Sequence, residues 1–344
     1  MALSIRDLAL RLSVSPSTVS EALRGSSLVK ESTRIRIVAE AERLGYQCNP
    51  LASALMTDMR RSRNGCFRGN LALLDLDTAP RRSPALLAHQ TALAEGAVQR
   101  AEELGFHTDH LSLQQGGITP ASLADVLSAR GISGVCILPA CSPYPCSSLD
   151  WSSFSVLHAD CIAGQPLFHA VSPDFQQALT LALDELAALG FSRPGLALET
   201  GLGPHQIRAW TIAFHAWFHS RFPAPAEPLI TDDLNAATLG PWFEEEQPDV
   251  VLAHSLSVRD ALHGLTTAPG RAPVFCSLQL TAKNPARPGL DLRPAALGRH
   301  AMDLLVDQVR RNERGIPALP YSSRVPAAWT PNLPAALPRA VLCA

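Results

Sequence analysis

From Asn70 onward the chain alternates short apolar runs with longer amphipathic stretches, and no other feature narrows its fold as far. LALLDLD (71–77), 107–113, VCILP (135–139), FSVLHAD (154–160), GLALE (195–199), DVVLAH (249–254) and PVFCSL (273–278) read as strands. Helical patterns fall between and after them at 88–104, 120–130, 174–189, 205–220, a short stretch past 254, and 295–312. Apolar runs without strict alternation suit strands buried on both faces, and the strand–helix rhythm predicts parallel sheets covered by helices on both sides. At roughly 100–200 residues per domain, a segment of this length is too long for one such sheet, so two similar lobes are expected. The Pro/Ala-rich stretch 326–344 shows no such pattern and reads as surface loop.

The first 46 residues have a different rhythm, with three helices and no strand. Ser4 and Asp7 form a capping pattern, Leu8, Leu10 and Leu12 supply apolar mass, and the first helix ends near Leu12. After the turn Ser13-Val14-Ser15, a second helix starts with Ser15 as N-cap and Pro16 at N1, where a missing N–H costs nothing, and it ends before Gly25. The third spans about Glu31 to Leu44, with Ile35, Val38 and Ala39 on one face and Gly45 closing it. Two short helices separated by about three residues, followed by a longer one, make a helix-turn-helix head. RRSRNGCFRG (60–69) then reads as a linker.

Charge divides at the same place. The 344 residues carry a net charge of −2, but residues 1–68 hold eleven Lys/Arg against six acids, and the rest holds eighteen against twenty-five. A basic head on an acidic body is the distribution of a nucleic-acid-binding domain attached to a regulatory one. No apolar stretch reaches the roughly 18–20 residues of a membrane span, and Arg6, Asp7 and Arg11 interrupt what would be a signal peptide. A cytoplasmic protein without membrane contact is therefore expected. The eight cysteines lack a CxxC pair and read as free thiols.

Enzyme signatures do not emerge. GxSxG, GxxxxGK[ST] and GxGxxG are missing from the sequence. His215 and His219 stand four apart on a helical stretch, but Ala216 occupies the place where a zinc protease needs Glu. No catalytic residue, metal or cofactor is expected.

With its helices placed, the N-terminus resembles the lactose-repressor/galactose-repressor family of bacterial transcription regulators. IRDLALRLSVSPSTVSEALRG (5–25) is similar to that family's helix-turn-helix, and TRIRIVAEAERLGYQCNPLASALMT (33–57) to its third helix and hinge. The resemblance continues more weakly over 70–330, implying a two-lobed, periplasmic-binding-protein-like effector core. The implied organisation is an all-α DNA-binding head at 1–48, a hinge helix and linker at 49–69, a core at 70–330 and a tail at 331–344. Within the core, the N-lobe takes about 70–168 and 288–316, and the C-lobe about 169–287 and 317–330.

The resemblance puts Pro16, Ser17 and Glu21 at base-reading positions, with Ser15, Thr18, Ser20, Thr33 and Tyr46 on phosphate or backbone. Glu21 departs from the family, which carries Arg or another donor there. A carboxylate suits a donor such as cytosine N4 rather than guanine, unless Glu21 points away and Arg24 reaches the groove instead. Lys30 departs too, standing where the family has a capping Ser. Asn49 opens the hinge, which the resemblance implies folds over the minor groove as a pair, with Leu55 wedged into a central base step. Tight recognition then needs a homodimer on a pseudo-palindromic double-stranded operator.

Ligands of open α/β sheets bind beyond the carboxyl ends of the strands. That rule selects Asp75, Asp77, His158, Asp160, His254 and Gln279. Resemblance adds Arg208, with Trp210 as its alternative in a shifted register. His254 and Leu278 or Gln279 replace residues common in the family. The implied effector is a small molecule, a sugar or sugar derivative. Together these readings predict a repressor whose operator affinity an effector modulates. The alternative is a ligand-binding protein or enzyme on the same core with a vestigial head.

Overall fold

The computed structural model describes residues 5–15, 18, 19, 22, 29–44, 68–76, 84–113, 118–140, 149–160, 167–222, 226–267, 270, 272–280 and 287–332. They fall into two compact units, Met1–Cys66 and Phe67–Ala344.

In the first unit, helices α1 (Ile5–Leu12) and α2 (Glu31–Arg43) pack about a small core. Leu8, Ala9, Val19, Ala22, Ile37 and Ala41 are buried together, with Leu12, Val14, Val29 and Leu44 at its margin. The inward face of α2 is therefore Ile37 and Ala41, one turn apart. Ile35 and Ala39, expected inside, are exposed, and Val38 lies at the edge. Leu10 likewise points outward, 84% exposed. The turn after α1 follows from Ser13 in the left-handed region (φ 53) and from the Val14 N–H donating to the Ala9 carbonyl.

The second unit holds two six-stranded sheets. One has the order β11-β5-β4-β3-β1-β2, built from β1 (Asn70–Asp75), β2 (His107–Ser112), β3 (Ile132–Ile137), β4 (Ser155–Ala159), β5 (His169–Pro173) and β11 (Ser322–Val325), and every neighbouring pair is parallel. The other has the order β12-β10-β9-β8-β6-β7, from β6 (Pro194–Glu199), β7 (Leu229–Thr231), β8 (Val250–Ala253), β9 (Val274–Ser277), β10 (Pro288–Asp291) and β12 (Ala328–Pro331). Only the β10–β12 pair is antiparallel. The two orders are the same permutation, so the core is one doubly wound design built twice.

Alternate residues of each strand feed opposite faces, as a sheet covered on both sides requires. In the first lobe, Leu71, Leu73 and Leu157 meet α3 (Pro84–Glu103) and α9 (Pro294–Arg311), whereas Ala72, Leu74 and Val156 meet α4 (Pro120–Ala129) and Trp151. In the second, Leu196, Leu198 and Leu252 face α5 (Phe175–Ala188) and α6 (Pro204–His219). Ala197, Val251 and Ala253 face α7 (Ala236–Glu246) and α8 (Leu256–Ala261). Cys136 and Cys276 are free thiols within these cores, and burial pushes both up, Cys136 to about 12.

Helices begin where side chains satisfy their first N–H groups. Thr119 with Ser122 and Asn235 with Thr238 form capping boxes on α4 and α7, and Asp174 caps α5.

The chain passes between the sheets after β5, after β10 and after β11. The first two passages fall a few residues beyond the expected 168/169 and 287/288, because His169–Pro173 still pairs with β4 and Pro288–Asp291 with β9. The third corrects two expectations. Residues 322–325 complete the first sheet although 317–330 was expected in the other lobe, and 328–331, part of the expected surface loop, forms β12. Both strands lie at sheet edges, where polar and Pro-terminated segments escape an apolar-run pattern.

Candidate functional site

In the head, the Ser15 hydroxyl accepts from the Thr18 N–H at 3.0 Å and lies 2.8 Å from the Thr18 hydroxyl, the N-cap the sequence predicts for the second helix. Val19 and Ala22 face inward from that helix. Ser15 stays exposed, and Thr33 lies half-buried in the first turn of α2. Arg11, Lys30, Arg36 and Arg43 are exposed, so the head's positive charge is on its surface. Arg43 donates twice to Glu40, holding that carboxyl below its usual range, and Arg36 donates to the Leu12 carbonyl. Pro16, Ser17, Ser20, Glu21, Arg24, Tyr46, Asn49 and Leu55 lie outside the described residues, as does Asp77 of the core.

At the carboxyl ends of the core strands the structure builds a His–carboxylate pair in each lobe. In the first, Asp160 follows β4 and its Oδ2 meets His89 Nε2, from the second turn of α3, at 2.6 Å. Both side chains are buried, at 8% and 3% exposure. Asp160 has φ 72, uncommon for a residue with a Cβ, and its N–H donates to the Val171 carbonyl. Asp75, the last residue of β1, is buried at the same edge, beside the point where strand order reverses between β1 and β3.

The second lobe's pair spans its own reversal point. Glu199 ends β6 and His254 immediately follows β8, its neighbour in the sheet, and His254 Nε2 lies 3.2 Å from Glu199 Oε2. The His254 contact holds the Glu199 carboxyl below its ordinary range, against the opposing effect of burial. Beside it, the Thr200 hydroxyl donates to Asp232 at 2.5 Å. Among these four paired side chains, His89 Nδ1, Asp160 Oδ1 and His254 Nδ1 are buried with no hydrogen-bond partner among the described residues.

Asp75, Asp160 and His254, chosen by the strand-end rule, lie at the carboxyl edges of the sheets. It missed Glu199, which the same rule would select as the last residue of GLALE. His89 lies on a helix; its only sequence signal is a polar side chain on the inward face, one turn before buried Leu93. His158 sits inside β4, fully buried, with its ring 5.5 Å from that of Phe168. Gln279 is half-buried, and its backbone turns against the Ser277 hydroxyl.

One further expectation needs correction. Trp210 is buried in the C-lobe core, edge-on to Phe175 at 5.2 Å, so the register of α6 directs it to packing. Arg208, two positions earlier on the same helix, is exposed. Trp151 and Phe275 are core residues as well. His215 faces Glu227 at 3.6 Å, and no three metal-ligating side chains converge among the described residues.

Comparison with known proteins agrees with this division. The pattern of "Bacterial regulatory proteins, lacI family" matches residues 4–49. The HTH-type transcriptional regulator MalR of Streptomyces coelicolor is 27% identical over 206 residues, 58% of this chain and 54% of that protein. The regulator reg1 of Streptomyces lividans is 27% identical over 207 residues, with the same coverage. The chain thus spans about half the length of the curated relatives it matches. Among solved structures, a CelR–cellobiose complex superposes with TM-score 0.53 at 16% identity, covering 95% of this chain and 98% of that one. The Lac repressor dimer bound to operator and the anti-inducer ONPF gives 0.53 at 16%, covering 97% and 100%. At such identities the structural likeness establishes the fold. No helix among the described residues is long and apolar enough to cross a membrane.

Proposed function

We propose, from the premise that the chain belongs to the lacI family of bacterial regulatory proteins, that it is a sequence-specific repressor of transcription whose operator affinity is set by a small-molecule effector. The observation that carries this reading is the head. Residues 4–49 match the family pattern, and within them Leu8, Val19, Ala22 and Ile37 form a packed core beneath a capped second helix. A head of this kind presents that helix to the major groove, with its flanks on phosphate. Pro16, Ser17 and Glu21 or Arg24 then read bases, while Ser15, Thr18, Ser20, Thr33 and Tyr46 position the duplex. Segment 49–69, beginning at Asn49, is the hinge and linker, and Leu55 is its minor-groove wedge.

Residues 70–330 are the effector-binding and dimerising core. A His–carboxylate pair at the carboxyl edge of each sheet supports a ligand held between the lobes, where both edges contribute. The cellobiose complex of CelR and the ribose-bound Enterococcus faecium regulator, which share this fold, support a sugar or sugar derivative. Repression follows from occupancy of a pseudo-palindromic site by a homodimer. The effector changes that occupancy only by binding the two lobe arrangements unequally. On this reading the protein is no enzyme and works in the cytoplasm, where its operator lies.

Selection from a random double-stranded DNA pool by the full chain tests the reading. It should enrich two inverted half-sites, and Thr18→Ala should reduce retention of the selected duplex. A pool without enrichment overturns the proposal and leaves a ligand-binding core with a vestigial head.

A further inference from the structure

We propose that the ligand held at the carboxyl edge of the first sheet carries a protonated amino group, and that Asp160 receives it. This rests on the effector-binding reading above and names the chemistry of that site. Asp160 is buried, yet only its Oδ2 has a partner, His89 Nε2 at 2.6 Å. Its Oδ1 has no hydrogen-bond partner among the described residues. A carboxylate offers about four acceptor sites, and a buried oxygen left without a donor is costly.

Backbone geometry sets that oxygen at the sheet's working edge. Asp160 follows the last residue of β4, its φ of 72 turns it out of the strand line, and its N–H is tied to the Val171 carbonyl. Strained non-glycine backbone of this kind persists where surrounding structure fixes it, and it recurs at ligand sites.

Charge then decides which donor fits. Asp160 is buried, and the side chain that meets it among the described residues is His89. His89 Nε2 engages Oδ2 alone, which leaves Oδ1 open. A hydroxyl donor would satisfy the open atom alone. An ammonium satisfies the atom and the charge together. His89 Nδ1, and His254 Nδ1 at the edge of the second sheet, are also buried without a hydrogen-bond partner among the described residues.

The test is titration calorimetry of the full chain with glucosamine and galactosamine, each against glucose, galactose and its N-acetyl derivative, and with putrescine against 1,4-butanediol. At least one amine should bind about tenfold or more tightly than its neutral twin. Asp160→Asn should erase that preference, with folding checked by thermal unfolding. Should Asp160→Asn fail to fold, loss of binding on N-acetylation carries the same information in the unmodified protein. Equal binding of amine and twin, no binding by any amine, or a preference that survives in folded Asp160→Asn overturns the proposal. Retention of the selected DNA, measured with and without each compound, separates the two readings. DNA retained without amine preference removes the amine alone, whereas amine bound without DNA retained removes the regulator.

Discussion

The two lobes share a strand order but fill it in opposite ways. In the first, α3 and α9 approach until backbone meets backbone. A Cβ on Gly298 would lie 2.0 Å from the Leu93 carbonyl oxygen, and one on Gly96 would lie 2.2 Å from that of Ala295. In the second, the corresponding space between α5 and α6 takes large rings. Phe175, Trp210, Phe214, Trp217 and Phe218 pack there, and the rings of Phe214 and Phe218 meet at 4.8 Å, tilted by 50°. One topology therefore tolerates two packing solutions, removal of side chains or insertion of aromatics. Each has a His–carboxylate pair at the carboxyl edge of its sheet, but built differently: His89 reaches Asp160 from α3, whereas Glu199 and His254 stand on neighbouring strand ends.

The largest expected effect comes from emptying the aromatic lobe. Phe214 is fully buried, and Phe214→Ala should cost about 3–5 kcal/mol through lost burial and the cavity left behind. Denaturant unfolding of the full chain measures it. A loss below about 1 kcal/mol would mean that the neighbouring rings collapse into the space and that the lobe is adaptable rather than closely filled.

Crowding the glycine lobe should cost less. Gly298→Ala forces α9 away from α3, at about 1–3 kcal/mol. Gly240, in α7 of the other lobe, has nothing beyond its chain neighbours within 4 Å of the Cβ it lacks, and the helix propensity Ala gains there is offset by crowding against the ring of Pro241, so Gly240→Ala should change stability by less than about 0.5 kcal/mol. If both substitutions destabilise equally, close helix contact is not what distinguishes the lobes.

What could be read from the sequence follows the same physics. Strands β1, β3, β4, β6, β8 and β9 are continuous apolar runs because both of their faces are covered, and each was legible within a few residues. β7, β10, β11 and β12 were not. LIT, SSRV and AWTP are short strands at sheet edges, and PGLD is short and carries Pro and Gly, so none of the four shows an apolar run long enough to read. β5 failed similarly, since HAVSP is brief and polar at one end. At the site, residues on strand ends could be chosen by rule. His89 could not, because its partner Asp160 is 71 residues away and the pairing depends on how α3 lies across the sheet. Trp210 was misplaced because one position on a helix turns a side chain by about 100°, enough to exchange a ligand-facing slot for the core.

The smallest effect concerns the last strand each lobe acquires. β12 is held partly by Trp329 against the aromatic core, whereas the start of β11 is held by a titratable group. His169 Nδ1 accepts the Tyr321 N–H at 3.1 Å, and the two rings lie 3.8 Å apart. Burial lowers the His169 pKa from 6.5, Glu313 opposes that shift, and Arg311 adds to it. Accepting at Nδ1 needs the neutral ring with its proton on Nε2. Between the folded and unfolded values the unfolded chain binds more protons, so stability rises with pH there. His169 thus contributes fully above about pH 6.5, and its contribution is lost as pH falls through the folded value. Other histidines titrate in the same range, so the measurement is a difference. His169→Gln should unfold at a lower temperature than the unmodified chain near pH 7.5, and the gap should narrow near pH 5.5. A gap that stays constant would mean that β11 is held by its ladder to β5 alone, and the two lobes would then secure their returning strands without any dependence on protonation.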